Sequence, residues 1–425
     1  MAINRFWSVI FITLLLATSG LLGAGPVVAE DVVKVGVIYS LSGPGAALGK
    51  LQREGAELAI REINAAGGVQ VGSSKKKLKG VFVDDKTKPA AALTALEKML
   101  KDEGLKAVVG GTFGHVSFVL NKEAKKRGFF YMATNGVPDA FFMKENKAPT
   151  AMCIVAGGGD AGRAAAEYIA TKMKPKKVAC FMPAYAIGEA TLKGFESVMK
   201  SYPEVAYKVF WHPVKGSDME RELGLAVQFK PEVIFMGSWG IDAINALKEA
   251  AQMDLTEQDK PTKIFHFWLV DVFAVNIPAT AMKNVWGQMF WYHDMQGVKD
   301  EAVVKASREF TEKYTQAYNR PPDPYAMAAF FGVKETVRAM EAAKSTDPAK
   351  MYDALMSNPE WTGAKGPAKW RKDGRCIYKY FTYIVKGKGL KDRKGPEADR
   401  KFDFAEIIDV YDGSAFAPKL KDLGY

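Results

Sequence analysis

Short apolar runs alternate with segments of helical period along this chain, and no other feature restricts its fold as much. "VKVGVIYS" (33–40) reads as a strand, and the run at 48–68 places Leu48, Leu51, Gly55, Leu58 and Ile63 on one helical face before two glycines stop it. "LKGVFVDD" is the next strand, and "PAAALTALEKMLKDEG" the next helix, with proline at its start and glycine at its stop. "KAVVGG", "HVSFVLNKEAKKRG" and "FFYMA" continue the series. The pattern βαβαβαβ predicts a mostly parallel sheet covered by helices. A second series begins near residue 152 with "AMCIVAG" as a strand, and runs through "KKVACFM", "YKVFWHPV", "PEVIFMGSW" and "KIFHFWLV" with helical segments between. The expected class is α/β, with two doubly wound, Rossmann-like lobes in tandem. Beyond residue 285 the regularity weakens: two long helical segments (300–319 and 324–344) precede the aromatic strand "CIYKYFTYIV".

The first 29 residues have another character. "MAINRF" carries one cation, an apolar run follows, and small residues lead to "PVVAED", with Val27 and Ala29 at the −3 and −1 positions of a secretory cleavage site. The apolar run is shorter than the ~20 residues a spanning helix needs. The expectation is an exported, soluble, periplasmic protein cut after Ala29. Removing 29 of 425 residues leaves 396, more than one core usually supports. Export also removes nucleic acid as the partner that a formal charge of +11 would otherwise suggest. The lysine-rich stretches "SSKKKLK" and "KDRKGPEADRK" read as solvated turns. Three cysteines, Cys153, Cys180 and Cys376, cannot all pair, and Cys180 in an apolar run reads as a buried free thiol.

"YSLSGPGAALGK" (39–50) joins the first strand to the first helix with glycines at 43, 45 and 49. A dinucleotide site needs an acid about 20 residues on, at the end of the next strand. That distance falls on Ile63, inside the helix, and Asp84 and Asp85 come about twice as far away. A P-loop fails too, with Pro44 at its first glycine and Leu51 at its Ser/Thr. No cofactor is expected. The loop is instead expected to edge a binding site at the carboxyl ends of the strands. The four histidines (115, 212, 266 and 293) show no metal spacing, and no G-x-S-x-G elbow occurs, so no enzyme chemistry is indicated.

The segment "VKVGVIYSLSGPGAALGKLQREGAELAIREINAAGGV" resembles the amino-terminal part of the periplasmic leucine/isoleucine/valine-binding proteins, the type I solute receptors of ABC importers. The matching features are the strand, S-G-P, a glycine, then a helix with G-A-x-x-A and I-N-A-x-G-G-V. The resemblance continues through "VVGGTFGHVSFVLNKEAKKRGFFYMATNGVPD" and "FKPEVIFMGSWGIDAINALKEA", and is weak between 255 and 300. It implies a two-lobed flytrap with three crossovers: lobe 1 at 30–152, lobe 2 at 153–285, lobe 1 again at 286–378 and lobe 2 at 379–425. The lobes would close on one small ligand, and the closed monomer would dock on a membrane permease.

The resemblance also implies a site. The ligand carboxylate would meet Gly114 and His115 in "GGTFGHVS" and Thr134, Asn135 and Gly136 in "MATNGVP". Trp239 would cover the ligand from lobe 2, with Tyr185 and Ile187 on a neighbouring loop. Leu48 falls where the family often places an aromatic contact. Phe113, Gly114 and His115 replace the family's small hydroxyl cluster, and Thr87 and Phe113 stand where some relatives carry bridging cysteines. Amino-acid binders use a lobe 2 acid to hold the ammonium; Asp271 is the only acid near the expected place. The expected ligand is a branched-chain or other hydrophobic amino acid. The alternatives are an amine-free aromatic or aliphatic carboxylic acid in the same site, or a sensor that feeds a signalling partner.

Overall fold

The computed structural model describes residues 32–213, 219–397 and 399–425. The expected cleavage site lies outside them. The first series forms a six-stranded sheet in the order β2-β3-β1-β4-β5-β6. Its strands are β1 (Val32–Tyr39), β2 (Val69–Val71), β3 (Ser74–Asp84), β4 (Ala107–Gly110), β5 (Phe130–Ala133) and β6 (Ala151–Cys153). All neighbours are parallel except β2, which makes a hairpin with β3. Helices α1 (Ala46–Ala65), α2 (Pro89–Asp102) and α3 (Gly114–Arg127) form the crossovers. The central strands are buried end to end because helices cover both faces, so they read as continuous apolar runs.

Two expectations about this half change. "SSKKKLK" is the start of the eleven-residue β3, not a solvated turn: its lysines alternate along the outer end of a hairpin that overshoots the core. "AMCIVAG" does not open the second series. Only Ala151–Cys153 is extended, and it pairs with β5 as the last strand of the first sheet.

The second sheet has seven strands in the order β16-β15-β11-β10-β9-β7-β8. These are β7 (Lys177–Pro183), β8 (Ala206–His212), β9 (Val233–Met236), β10 (Lys263–His266) and β11 (Val285–Met289), then β15 (Tyr380–Gly387) and β16 (Ala405–Asp412). The first five are parallel, while β15 and β16 add antiparallel strands at one edge. Around this sheet lie α4 (Gly158–Tyr168), α5 (Ala186–Met199), α6 (Glu220–Gln228), α7 (Ile241–Gln252) and the single turn α8 (Asp271–Ala274). Between β11 and β15 come α9 (Glu301–Tyr318), α10 (Pro324–Ala343) and α11 (Pro348–Ser357), and the small antiparallel sheet β12 (Glu360–Gly363), β13 (Gly366–Trp370) and β14 (Cys376–Tyr378).

Helix α10 packs on α1, β4 and β5, so the chain returns to the first sheet after β11 and crosses again before β15. With the passage from β6 to α4, that makes three crossings and a two-lobed α/β fold. The aromatic run "CIYKYFTYIV" serves two sheets: β14 ends at Tyr378 and β15 begins at Tyr380. Asp323 starts α10 by accepting the Tyr325 amide at 2.8 Å, with Pro324 at the first helical position.

Candidate functional site

In both sheets the strand order reverses at the first strand of the series, between β1 and β4 and between β7 and β9. Ligands of open α/β sheets sit at the carboxyl ends of strands beside such reversals. A cavity of about 300 Å³ occupies that place, between the loops that follow β4 and β5 on one side and β7, β9 and β10 on the other. Of the residues expected from sequence, Gly114, His115, Asn135, Gly136, Tyr185, Ile187 and Trp239 all line it.

The first lobe supplies polar groups. Phe113 is the extended residue before α3 and gives it no side-chain cap. The amides of Gly114 and His115 have no intrahelical acceptor, as the opening amides of any helix do not, and the helix start favours an anion. Asn135 is held by its neighbours: Ser117 Oγ donates to its Oδ1 at 2.7 Å, and its Nδ2 donates to the Gly136 carbonyl at 3.0 Å. Nearby Asp85 is fully buried and accepts from Ser40 Oγ (2.5 Å) and the Thr87 amide (2.8 Å). Burial raises its carboxyl above the ordinary value, and these bonds oppose the rise.

The second lobe supplies apolar surface. Tyr185 is the extended residue before α5, and Ile187 stands in the first turn of that helix against Gly158. Burial, with Asp242 nearby, raises the Tyr185 phenol. Trp239 sits on the loop after β9, where Gly240 takes φ +68°, a left-handed turn that suits glycine. The same loop is tied down by His212. Its Nδ1 is 3.0 Å from the Pro213 carbonyl, which can only accept, so Nε2 accepts the Ser238 hydroxyl at 2.8 Å. Burial lowers the His212 pKa and keeps that ring neutral.

The lobes meet across the cavity. The rings of Phe113 and Trp239 lie 4.9 Å apart at 80°, and those of Trp239 and Tyr325 6.4 Å apart at 82°. Both are edge-to-face contacts between a side chain of one lobe and a side chain of the other.

Three expected site residues lie elsewhere. Leu48 is in the core of α1, because the inward face of that helix packs on β1 and α10 instead of the cavity. Thr134 turns away: its hydroxyl pairs with Tyr39 at 3.0 Å, and its methyl lies beneath Gly332 of α10. Asp271 begins α8 and stands 3.0 Å from His293 Nδ1, buried outside the cavity wall. The glycine loop also stands one layer back. A Cβ on Gly49 would meet the Ser40 carbonyl at 1.9 Å, and one on Gly45 would meet Phe113 at 2.5 Å. The loop therefore buttresses the wall without edging it, and Asp84 holds it through the amides of Leu41 and Ser42.

Sequence reasoning missed Tyr325, which lines the cavity from the first turn of α10. The Asp-Pro helix start was readable at 323–324, but its place beside the cleft follows from the second crossing. Phe118 and Ala190, one turn inside α3 and α5, were missed because helical position alone does not say which end of the cavity a face borders. The three cysteines are free. Among the described residues no cluster of His, Cys, Asp or Glu could hold a metal ion, and no helix is long and apolar enough to cross a membrane.

Residues 32–391 match the model of a family described as periplasmic binding protein. The Leu/Ile/Val-binding protein of Citrobacter freundii is 30% identical over 359 residues, 81% of this chain and 88% of that one. Among solved structures, the amino acid ABC transporter substrate-binding protein of Pseudomonas fluorescens Pf-5 superposes with a TM-score of 0.81 at 20% identity, covering 93% of this chain and 98% of that one. An ABC transporter solute-binding protein from R. palustris, in complex with benzoate, gives 0.74 at 19% identity, covering 90% and 97%.

Proposed function

Because this chain belongs to the periplasmic binding protein family, we propose that it is the substrate-binding component of an ABC importer. It is a substrate-binding protein and not an enzyme. In this reading it works in the periplasm as a monomer and takes up a small solute with a carboxylate at one end and an apolar body. The closed form then hands that solute to a membrane permease. In this reading the first lobe runs from 30 to 152 and from 286 to 378 and the second from 153 to 285 and from 379 to 425, except that Cys153 completes β6 of the first sheet and Leu423 packs in the core of the first lobe.

One observation carries the reading: uncapped helix-start amides face a cavity whose other walls are aromatic and come from both lobes. The carboxylate would sit on the Gly114 and His115 amides with Asn135 and Gly136 beside it. Trp239, Tyr185 and Ile187 would enclose the body on closure. Ligand that touches both lobes only when they are closed favours the closed form by its differential affinity.

The volume suits a single ring or a short branched chain, since about 300 Å³ is at the small end of ligand sites. Hydrophobic amino acids fit that description, as the Leu/Ile/Val-binding relative would suggest. Amine-free acids fit it too, as the benzoate-bound neighbour would suggest.

Thermal denaturation of the mature protein against a panel of such solutes tests the reading. A ligand at 100 times its Kd adds about 2.7 kcal/mol of stability. If no small carboxylate raises the melting temperature, the assignment is wrong.

A further inference from the structure

We propose that the cavity selects an aromatic carboxylic acid that carries no ammonium group. The inference rests on the reading above, that this cavity is the solute site, and names the chemical class that the site takes.

The first ground is charge. Among the described residues, the wall contains no Asp, Glu, Lys or Arg; its ionisable side chains are His115, Tyr185 and Tyr325. Burial raises both phenols above their ordinary value, so neither supplies a negative charge. An α-amino acid brings a carboxylate and an ammonium into the same enclosed space. The carboxylate has the start of α3. The ammonium has no anionic partner, and an unpaired buried charge is expensive.

The second ground is that the nearby carboxylates are not part of the wall. Asp85 lies behind the wall, where its Oδ1 accepts from Ser40 and Thr87. Asp271 stands 3.0 Å from His293 Nδ1, with both oxygens buried and in no well-aligned hydrogen bond, and it does not line the cavity. Asp242 is buried in the first turn of α7 and is not part of the wall. The side-chain oxygen of Asn135 already accepts the Ser117 hydroxyl.

The third ground is the shape of the apolar half. Phe113, Phe118, Tyr185, Trp239, Trp268 and Tyr325 come from both lobes and surround one space. Their contacts with one another are edge-to-face where they meet, as between Phe113 and Trp239 and between Trp239 and Tyr325. An added ring gains the same kind of contact beyond its area burial, which a branched aliphatic chain does not.

Isothermal titration of the dialysed protein with matched pairs decides the matter. The pairs are 3-phenylpropionate with L-phenylalanine, phenylacetate with L-phenylglycine, and 4-methylpentanoate with L-leucine; benzoate covers the shortest aromatic acid. The expected result is that an aromatic acid binds tightest and exceeds its amino twin by at least about 30-fold. An amino acid that binds as well as its amine-free twin overturns the inference and leaves the solute-site reading intact. So does 4-methylpentanoate binding more tightly than every aromatic acid. If no compound in the panel binds at millimolar concentration, the solute-site reading falls, and this inference falls with it.

Discussion

On the side of the first sheet, the cavity wall carries helix-start amides, a side-chain amide and an imidazole beside the rings of Phe113, Phe118 and Tyr325; on the side of the second, its large side chains are the rings of Tyr185, Trp239 and Trp268 and an isoleucine. The polar wall is rigid by construction. Ser117 fixes Asn135, and the glycine loop, wedged under Phe113, fixes the approach to α3. The second-lobe wall hangs on three loops, and Trp239 in particular is held by Gly240 and by the Ser238–His212 hydrogen bond behind it. The difference suggests a division of labour. The first lobe can hold an anion while the lobes are apart, because its donors are in place without the second. The second lobe contributes area, and that area becomes useful only on closure.

Removing the apolar wall should therefore have the largest effect. Trp239→Ala is expected to weaken binding by 100-fold or more, the range of a central aromatic anchor, while the melting temperature of the unliganded protein changes by only a few degrees. Titration calorimetry with the tightest acid checks it; unchanged affinity would remove Trp239 from the site. On the polar wall, Asn135→Ala takes away one donor and strands the buried Ser117 hydroxyl, at a cost of about 1–3 kcal/mol. Affinity should fall by roughly tenfold, and the loss should be equal for aromatic and aliphatic acids, because Asn135 reads the carboxylate alone. A loss confined to aromatic acids would break the proposed division. Ile187→Ala should be the mildest of the three, a few-fold loss from apolar area alone, and it should spare short acids such as benzoate.

How far the sequence reached differs between these walls. The loops after β4, β5, β7 and β9 were legible because strand-to-helix junctions declare themselves, by apolar runs that end in Gly, Asn or Tyr before a helical period begins. The alternation of strands and helices was legible for the same local reason. What was not legible depends on long-range geometry. Tyr325 reaches the cleft only because α10 returns to the first sheet. Thr134 neighbours Asn135 in sequence, yet alternation along an extended chain sends it to the opposite face, against Tyr39. Asp271 looked like a lobe 2 acid by elimination, and whether it faces the cavity was decided by the single turn of α8, too short to show a period. The run from Tyr378 to Tyr380 hides a change of sheet within one aromatic stretch, because periodicity cannot see which partner a strand takes.

The smallest expected effect concerns the seam where the two walls meet. Asp323 caps α10 through Tyr325, and its other oxygen accepts the Val272 amide from the second lobe at 3.0 Å. Burial, with Asp271 nearby, pushes its carboxyl up to about 7 from 3.8. A raised carboxyl means that the native state holds a proton which the unfolded state has released. The contribution of Asp323 to stability is thus fully present below about pH 4 and is lost as the pH rises through 7. His266 opposes it. Burial lowers that imidazole to about 4 from 6.5, so its contribution is present above pH 6.5 and is lost as the pH falls through 4. Across the same window the two slopes have opposite sign and partly cancel. Asp323→Asn removes one of them. The variant should be less stable at acid pH, since the asparagine Nδ2 would face one of the two backbone amides that Asp323 accepts. The informative quantity is the gain in melting temperature between pH 5 and pH 7, which should exceed that of the unmodified protein by a few degrees. An identical gain would mean that Asp323 ionises at its ordinary value, and that the amides of Tyr325 and Val272 outweigh its burial at the seam.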